Sequence, residues 1–274
     1  TKPFSGEKFM KNLMPFGSQI ELDLQTIDDQ ILKELKNLVK QHKLIVIKGN
    51  ALPKTSLIKF SKLWGEVVLW PFGEILELKY DPTAKDHIFD NTRMPMHWDG
   101  MYRENIPHLQ IFHCIESEQH QGRTILTNTK KILEELPTKT KESWKHISAQ
   151  YYRKAINYEG QIQQNLIEKH PLYDYEVLRY QENITDKNFK NPAEAIFQNS
   201  YEGFHAEILA KLYHPDYCYR HTWKSGDVVI ADNFTLLHAR EGYQSTEKRH
   251  IQRIQVHSKV PVKNQAMKES HEAY

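Results

Sequence analysis

The chain has 274 residues, enough for one large domain or two small ones, and all-β or mixed folds of this size commonly form a single unit. Charged residues make up 26 % and hydrophobic ones 39 %, the balance of a globular protein, and a formal net charge of +2 gives no basic field for nucleic acid and no acidic tail. Two cysteines, Cys114 and Cys218, are too few for a disulfide scaffold, and no apolar run approaches the roughly 20 residues that span a bilayer. Thr1–Ser5 has no signal-peptide core, so the expectation is a cytoplasmic protein with a small-molecule partner, no nucleic acid and no membrane; a homo-oligomer stays open.

Residues 27–39 set Ile27, Ile31, Leu32, Leu35, Leu38 and Val39 on one stripe, which predicts a helix capped by Thr26 or Asp28. Leu44-Ile45-Val46-Ile47 reads as a buried strand stopped at Gly49-Asn50. A second helix is expected from a Thr55 cap, with Leu57, Ile58, Phe60, Leu63 and Trp64 inward and Gly65 at its end. From Val67 the pattern turns to short β-type runs: Val67–Trp70, Ile75–Leu78, Leu109–Ile115 and Arg123–Thr127, then Val228–Ile230 and Arg249–Val256. That series suggests an antiparallel sandwich or barrel. Between the runs, residues 138–220 read as an insertion with helical pieces at Lys141–Ala155 and Phe204–Leu212 around an aromatic, poorly periodic section, Tyr151–Asn199. A lid or binding loop and an ordinary surface excursion are equal readings of it.

The chemistry concentrates at His97-Trp98-Asp99. In extended backbone, residues i and i+2 point the same way, so His97 and Asp99 can grip one ion while Trp98 faces elsewhere. His238, after the strand Val228–Ile230 and the turn-prone Asp232-Asn233, is the best third ligand. Two imidazole nitrogens and one carboxylate oxygen suit Fe(II) and leave a face open for a chelating co-substrate and O2. A structural hydrogen-bonded pair explains His97 and Asp99 equally well on local pattern. Arg249 and Arg253 share a strand face with Cα atoms roughly 13 Å apart. Inward guanidiniums need anions, and Arg matches a planar carboxylate; a solvated edge strand is the other reading. His87, His108, His113, His120, His250 and His257 lack a partner at ligand spacing and read as packing or surface residues, as Cys114 reads as a buried thiol.

Taken together, His97-x-Asp99, Gly122-Arg123-Thr124, and Val229-Ile230-Ala231-Asp232-Asn233 with His238, Arg249 and Arg253 resemble the TauD/TfdA family of Fe(II)/2-oxoglutarate dioxygenases, from about Leu44 to Val256. The resemblance implies a mainly β fold, a double-stranded β-helix (jelly roll, cupin-like) with flanking helices, as one domain over 1–274. It implies His97, Asp99 and His238 as iron ligands. Arg249 would hold the distal carboxylate of 2-oxoglutarate with Thr124 donating to it, and Arg253 would lie beside the co-substrate or meet a substrate anion.

A narrower likeness joins Phe60–Phe72, His87-Ile88-Phe89, Pro95–Tyr102, Phe112-His113-Cys114 and Asp232–His238 to the PvcB-like isonitrile-biosynthesis branch, whose members pair with an isonitrile synthase. It implies desaturation of a tyrosine-derived isonitrile at Cα–Cβ, with or without loss of the carboxylate. Where the taurine branch has a sulfonate-binding His, this chain has Trp70, which suits an aromatic ring. Trp70, Trp98, Met101 and Tyr102 are the expected substrate pocket, with Arg93 as a holder of the substrate carboxylate. A hydroxylase of another amino-acid-like or sulfonate substrate, and a non-catalytic metal-binding jelly roll, are the competing readings.

Overall fold

The computed structural model describes residues 10–118, 120–155 and 158–267; Thr1–Ser5, on which the signal-peptide reading rested, lies outside them. Alternation along the strands builds two facing sheets. The larger has seven strands in the order Lys11–Asn12, Ser18–Glu21, Leu44–Lys48, Val228–Asp232, Leu109–Ser117, Arg249–Val256, Leu76–Lys79. The smaller has four, ordered Cys218–His221, Thr124–Asn128, Leu236–Arg240, Met94–His97. Pairings within both are antiparallel except Ser18–Glu21 with Leu44–Lys48. The result is the expected jelly roll.

Strand parity assigns each side chain to a layer. Between the sheets lie Phe112, Cys114, Leu126, Val229, Ala231, Leu236 and Ile251. Behind the large sheet, Ile45, Ile47, Ile111, Val228, Ile230, Ile254 and Val256 pack on Leu35, Val39, Leu57 and Phe60. These four come from the helices Asp29–His42 and Lys54–Lys62. Each fully buried aliphatic side chain there contributes roughly 1.5–3 kcal/mol. The first helix starts as read: the Asp28 carboxylate accepts from the Ile31 N–H at 2.8 Å. Thr55, expected as the second cap, sits inside its helix, which Pro53 precedes without a side-chain bond. That helix closes at Leu63 rather than at Gly65.

Two expectations fail locally. Val67–Trp70 forms only isolated bridges, Val67 to Val256 and Trp70 to Gly73. Lys141–Ala155 is not one helix: Thr138–Lys145 is helical and Ser148–Lys154 is a strand. The latter pairs with Glu159–Asn165 and Glu194–Gln198, so the section read as aperiodic holds a three-stranded sheet. Its Ala149 and Tyr151 join Trp144, Tyr180 and Phe204 against Met96, Trp98, Ile125 and Leu237 on the outer face of the small sheet. Phe204–Leu212 is helical as read. Among the described residues, no helix is long and apolar enough to cross a membrane.

Candidate active site

The same parity points the chemistry inward. On the strand Leu236–Arg240, Leu237 and Ala239 join the outer cluster while Leu236 lies between the sheets, which sends His238 inward as well. On Met94–His97 and beyond, Met96 and Trp98 face out, and His97 and Asp99 face in. His238 pairs across the ladder with His97, and the two rings lie 4.2 Å apart between centroids. Ligand atoms of His97, Asp99 and His238 all fall within 4.8 Å of one another. Nε2 of His97 is 3.5 Å from Asp99 Oδ1, and Nε2 of His238 is 3.4 Å from Asp99 Oδ2.

Supporting groups fix two of these three. The Pro95 carbonyl takes the Nδ1 proton of His97 at 2.7 Å, which leaves the Nε2 lone pair for a metal. Asn233 clamps the loop after the strand: its Oδ1 accepts from the Asp99 N–H at 3.1 Å, and its Nδ2 donates to the carbonyls of Asp99 and Pro107 at 2.9 and 2.8 Å. Burial opposes the Asp99 charge, but Arg253, at 3.1 Å from Oδ2, and His238 outweigh it and hold the carboxyl well below its usual range. Burial, followed by the charge of His97, lowers the pKa of His238, so its imidazole is neutral near pH 7, as a ligand must be.

Behind the triad stands Arg249. It is buried, its Nε donates to the Gly122 carbonyl at 2.9 Å, and its guanidinium lies over Tyr243. No carboxylate among the described residues pairs with it, and burial, helped by Arg240, pushes its pKa down to about 9. A bound carboxylate would remove that penalty. Trp223 Nε1 donates to Thr124 Oγ1 at 2.9 Å, so the Thr124 hydroxyl keeps its proton for another acceptor. The His97, Asp99 and His238 donor set therefore fits Fe(II), and Arg249 and Thr124 offer donors of the kind a keto acid's carboxylate would need.

The residues read as a substrate pocket divide. Trp98 is 1 % exposed, edge-on to Tyr151 in the outer cluster, and Met101 is buried with it. Tyr102 stacks on Tyr158, and its buried hydroxyl has no hydrogen-bond partner among the described residues. Trp70 is half-buried, with Phe72 stacked parallel to it and Arg103 over its ring. Arg93 is half exposed and ion-paired to Glu182 at 2.9 Å. Sequence reasoning missed Tyr243, Trp223 and Arg103: Trp223 and Arg103 meet Thr124 and Trp70 from far along the chain, and an Arg–aromatic contact such as Arg249 over Tyr243 leaves no pattern in sequence.

It also missed a second His/His/Asp cluster. His108, read as lacking a partner, lies with His170 and Asp232. There the Leu172 N–H donates to His170 Nδ1, so Nε2 carries the proton and gives it to Asp232 at 3.0 Å. Asp232 also accepts from the Phe234 N–H, the Thr235 N–H and the Thr235 hydroxyl. Its lone pairs are occupied in bracing the turn that leads to His238. His113 is a packed core residue as read, bonded to the Asn50 carbonyl at 2.8 Å.

A jelly roll that gathers two imidazoles and one carboxylate on its inner face, with a buried guanidinium free of any carboxylate among the described residues, has the frame of the Fe(II)/2-oxoglutarate-dependent dioxygenases. The pattern described as "Taurine catabolism dioxygenase TauD, TfdA family" matches residues 9–255, and the chain belongs to that family. It is 38 % identical over 240 residues to a tyrosine isonitrile desaturase from Pseudomonas aeruginosa, covering 84 % of this chain and 82 % of the relative. It is 31 % identical to a 3-((Z)-2-isocyanoethenyl)-1H-indole synthase from Fischerella ambigua, covering 92 % and 96 %. A solved structure of PvcB, described as an Fe, alpha-ketoglutarate dependent oxygenase from an isonitrile synthetic pathway, superposes with a TM-score of 0.77 at 30 % identity, over 97 % of this chain and 94 % of that one.

Proposed function

We propose that this dioxygenase desaturates a tyrosine-derived isonitrile at Cα–Cβ, with or without loss of the carboxylate, using Fe(II), 2-oxoglutarate and O2. The observation that carries the reading is that ligand atoms of His97, Asp99 and His238 fall within 4.8 Å of one another and meet Arg253, while the buried Arg249, four residues back on the same strand, pairs with no carboxylate among the described residues. Bound iron, keto acid and O2 together supply the oxidising equivalents, with succinate and CO2 as co-products. The protein's own residues position and shield. Asn233 and Pro95 lock two ligands. Arg249 and Thr124 hold the keto acid's tail, and Arg253 keeps Asp99 ionised and lies beside the co-substrate. A displacement of about 1 Å at such a centre costs on the order of 100-fold in rate, which gives these clamps their value. Trp70 and Tyr102 supply aromatic surface for the substrate ring, with Trp98 and Met101 backing the ligand loop. The 38 % relative's substrate name supports a phenolic ring, and the indole relative marks the aromatic ring as the variable part. We place the enzyme in the cytoplasm beside an isonitrile synthase that makes its substrate, and we leave a homo-oligomer as part of this reading.

The test is incubation with tyrosine isonitrile, 2-oxoglutarate, Fe(II) and O2, followed by mass analysis. A product lighter by two hydrogens is expected, with further loss of CO2 marking the vinyl isonitrile. A hydroxylated product without an alkene rejects the desaturase. In the anaerobic protein, Fe(II) with 2-oxoglutarate gives a weak visible band; His97→Ala abolishes it, and a variant that keeps both band and activity rejects the ligand assignment.

A further inference from the structure

Arg103 lies close enough to Arg253 to feel its charge, but of the two only Arg253 is neutralised. Arg253 holds Asp99. Arg103 makes no ion pair among the described residues, and the charges that act on it include no carboxylate: burial, then Arg253, lower its pKa. An unpaired, partly buried guanidinium beside a second cation is an unfavourable arrangement unless an anion joins it.

The surroundings prepare that guanidinium. Its carbon lies 4.4 Å from the Trp70 ring centroid, a cation–π stack that restricts the long side chain without using its N–H donors. Trp70 itself is held in a tight turn by reciprocal bonds with Gly73, both 3.0 Å. The Arg103 backbone is fixed as well. Its N–H donates to the Gly100 carbonyl at 3.2 Å, and Asn264 Nδ2 donates to the carbonyls of Met101 and Arg103 at 2.8 and 3.0 Å. Arg103 thus sits on a rigid turn four residues beyond Asp99. Arg93, the cation expected from the sequence to meet the substrate's carboxylate, is already paired with Glu182.

We infer that Arg103, stacked on Trp70, is the residue that binds the substrate's carboxylate and so makes the site selective for an α-substituted carboxylic acid. This rests on the proposed desaturase reading and names the group that recognises its substrate. A planar fork fits a carboxylate with two parallel hydrogen bonds, while the indole beneath leaves the guanidinium edge free for them.

The test compares anaerobic calorimetric binding of tyrosine isonitrile and of its carboxamide to the protein loaded with Fe(II) and 2-oxoglutarate. Wild type prefers the acid. Arg103→Gln weakens acid binding by about 10- to 100-fold, leaves the amide within a few-fold, and raises KM for the acid far more than it lowers kcat. Trp70→Leu gives a smaller loss in the same direction, and Arg103→Lys keeps part of the acid preference. Arg93→Gln alters acid and amide alike. An Arg103→Gln protein that retains the wild-type preference overturns the inference while the desaturase reading stands. Wild type that binds neither compound overturns the substrate reading and this inference together.

Discussion

Gly122 shows how one missing side chain shapes the keto-acid end of the site. Its φ of +69° is in the left-handed region, and an added Cβ would lie 2.8 Å from Arg249 Cδ and 2.9 Å from Nε. Tyr243 closes the other side at 3.1 Å, so the guanidinium stem has nowhere easy to go. The Gly122 carbonyl is also the acceptor for Arg249 Nε. Gly122→Ala therefore strains the backbone by roughly 1–2 kcal/mol and moves the anion holder, while the ligand residues on Met94–His97 and Leu236–Arg240 stay in place. The expected outcome is a rise of about tenfold or more in the dissociation constant for 2-oxoglutarate, consistent with the loss of one charge-assisted contact, at unchanged Fe(II) affinity. Anaerobic titration of each separately checks it; equal loss of both would place the damage in the fold.

At the scale of elements, the segment that delivers His97 to the proposed metal site is held by a residue from the strand that delivers His238. Arg240 donates to the carbonyls of His87 and Ile88 at 3.1 and 3.2 Å, and to those of Asp90 and Thr92 at 2.9 and 2.6 Å. Those carbonyls belong to the loop entering Met94–His97. Arg240→Met keeps most of the stem and deletes the donors, at a cost of about 2–4 kcal/mol, chiefly from the carbonyls of the buried His87 and Asp90 left unpaired. That corresponds to a fall in Tm of about 5–10 °C for a domain of this size; a melting curve within 1 °C of wild type would remove Arg240 from this role. The sequence displays some of these elements and hides others for definable reasons. Arg249–Val256 is readable as a strand although its alternation is imperfect: Ile254 and Val256 face the helices, while Ile251 shares the arginine face between the sheets. In Ser148–Lys154 the buried positions are Ala149, Tyr151 and Arg153, and the last is buried only because Asp86 neutralises it. A charged residue in the core masks a period of two. The clustering of His97, Asp99 and His238 was legible because those residue types are chemically restrictive. Arg103 over Trp70 was not, since a cation–π pair leaves no local spacing.

Across the whole molecule, imidazoles buried in their neutral form tie stability to pH. Burial, followed by the charge of Arg153, pushes His87 down to about 4, against the opposing pull of Asp86. Burial also lowers His108 and His221. In the unfolded chain all three titrate near 6.5. Between about pH 6.5 and 4 the unfolded state thus binds more protons than the folded one, and stability falls as pH falls through that window. It is fully present above the unfolded value, the opposite of a His that gains a carboxylate partner. The depressed carboxylates Asp227 and Glu77 add their loss only at lower pH, where they too begin to take up protons. His87 alone accounts for up to about 3 kcal/mol of this slope. Its Nδ1 lies 2.9 Å from the Lys190 carbonyl, a bond that an amide can replace. His87→Asn should therefore fold and show a shallower decline. Urea unfolding of metal-free protein at pH 7.5, 6 and 5 measures it. A midpoint that stays constant across the three, or a His87→Asn slope equal to wild type, would mean that the buried imidazoles find protons or water without unfolding.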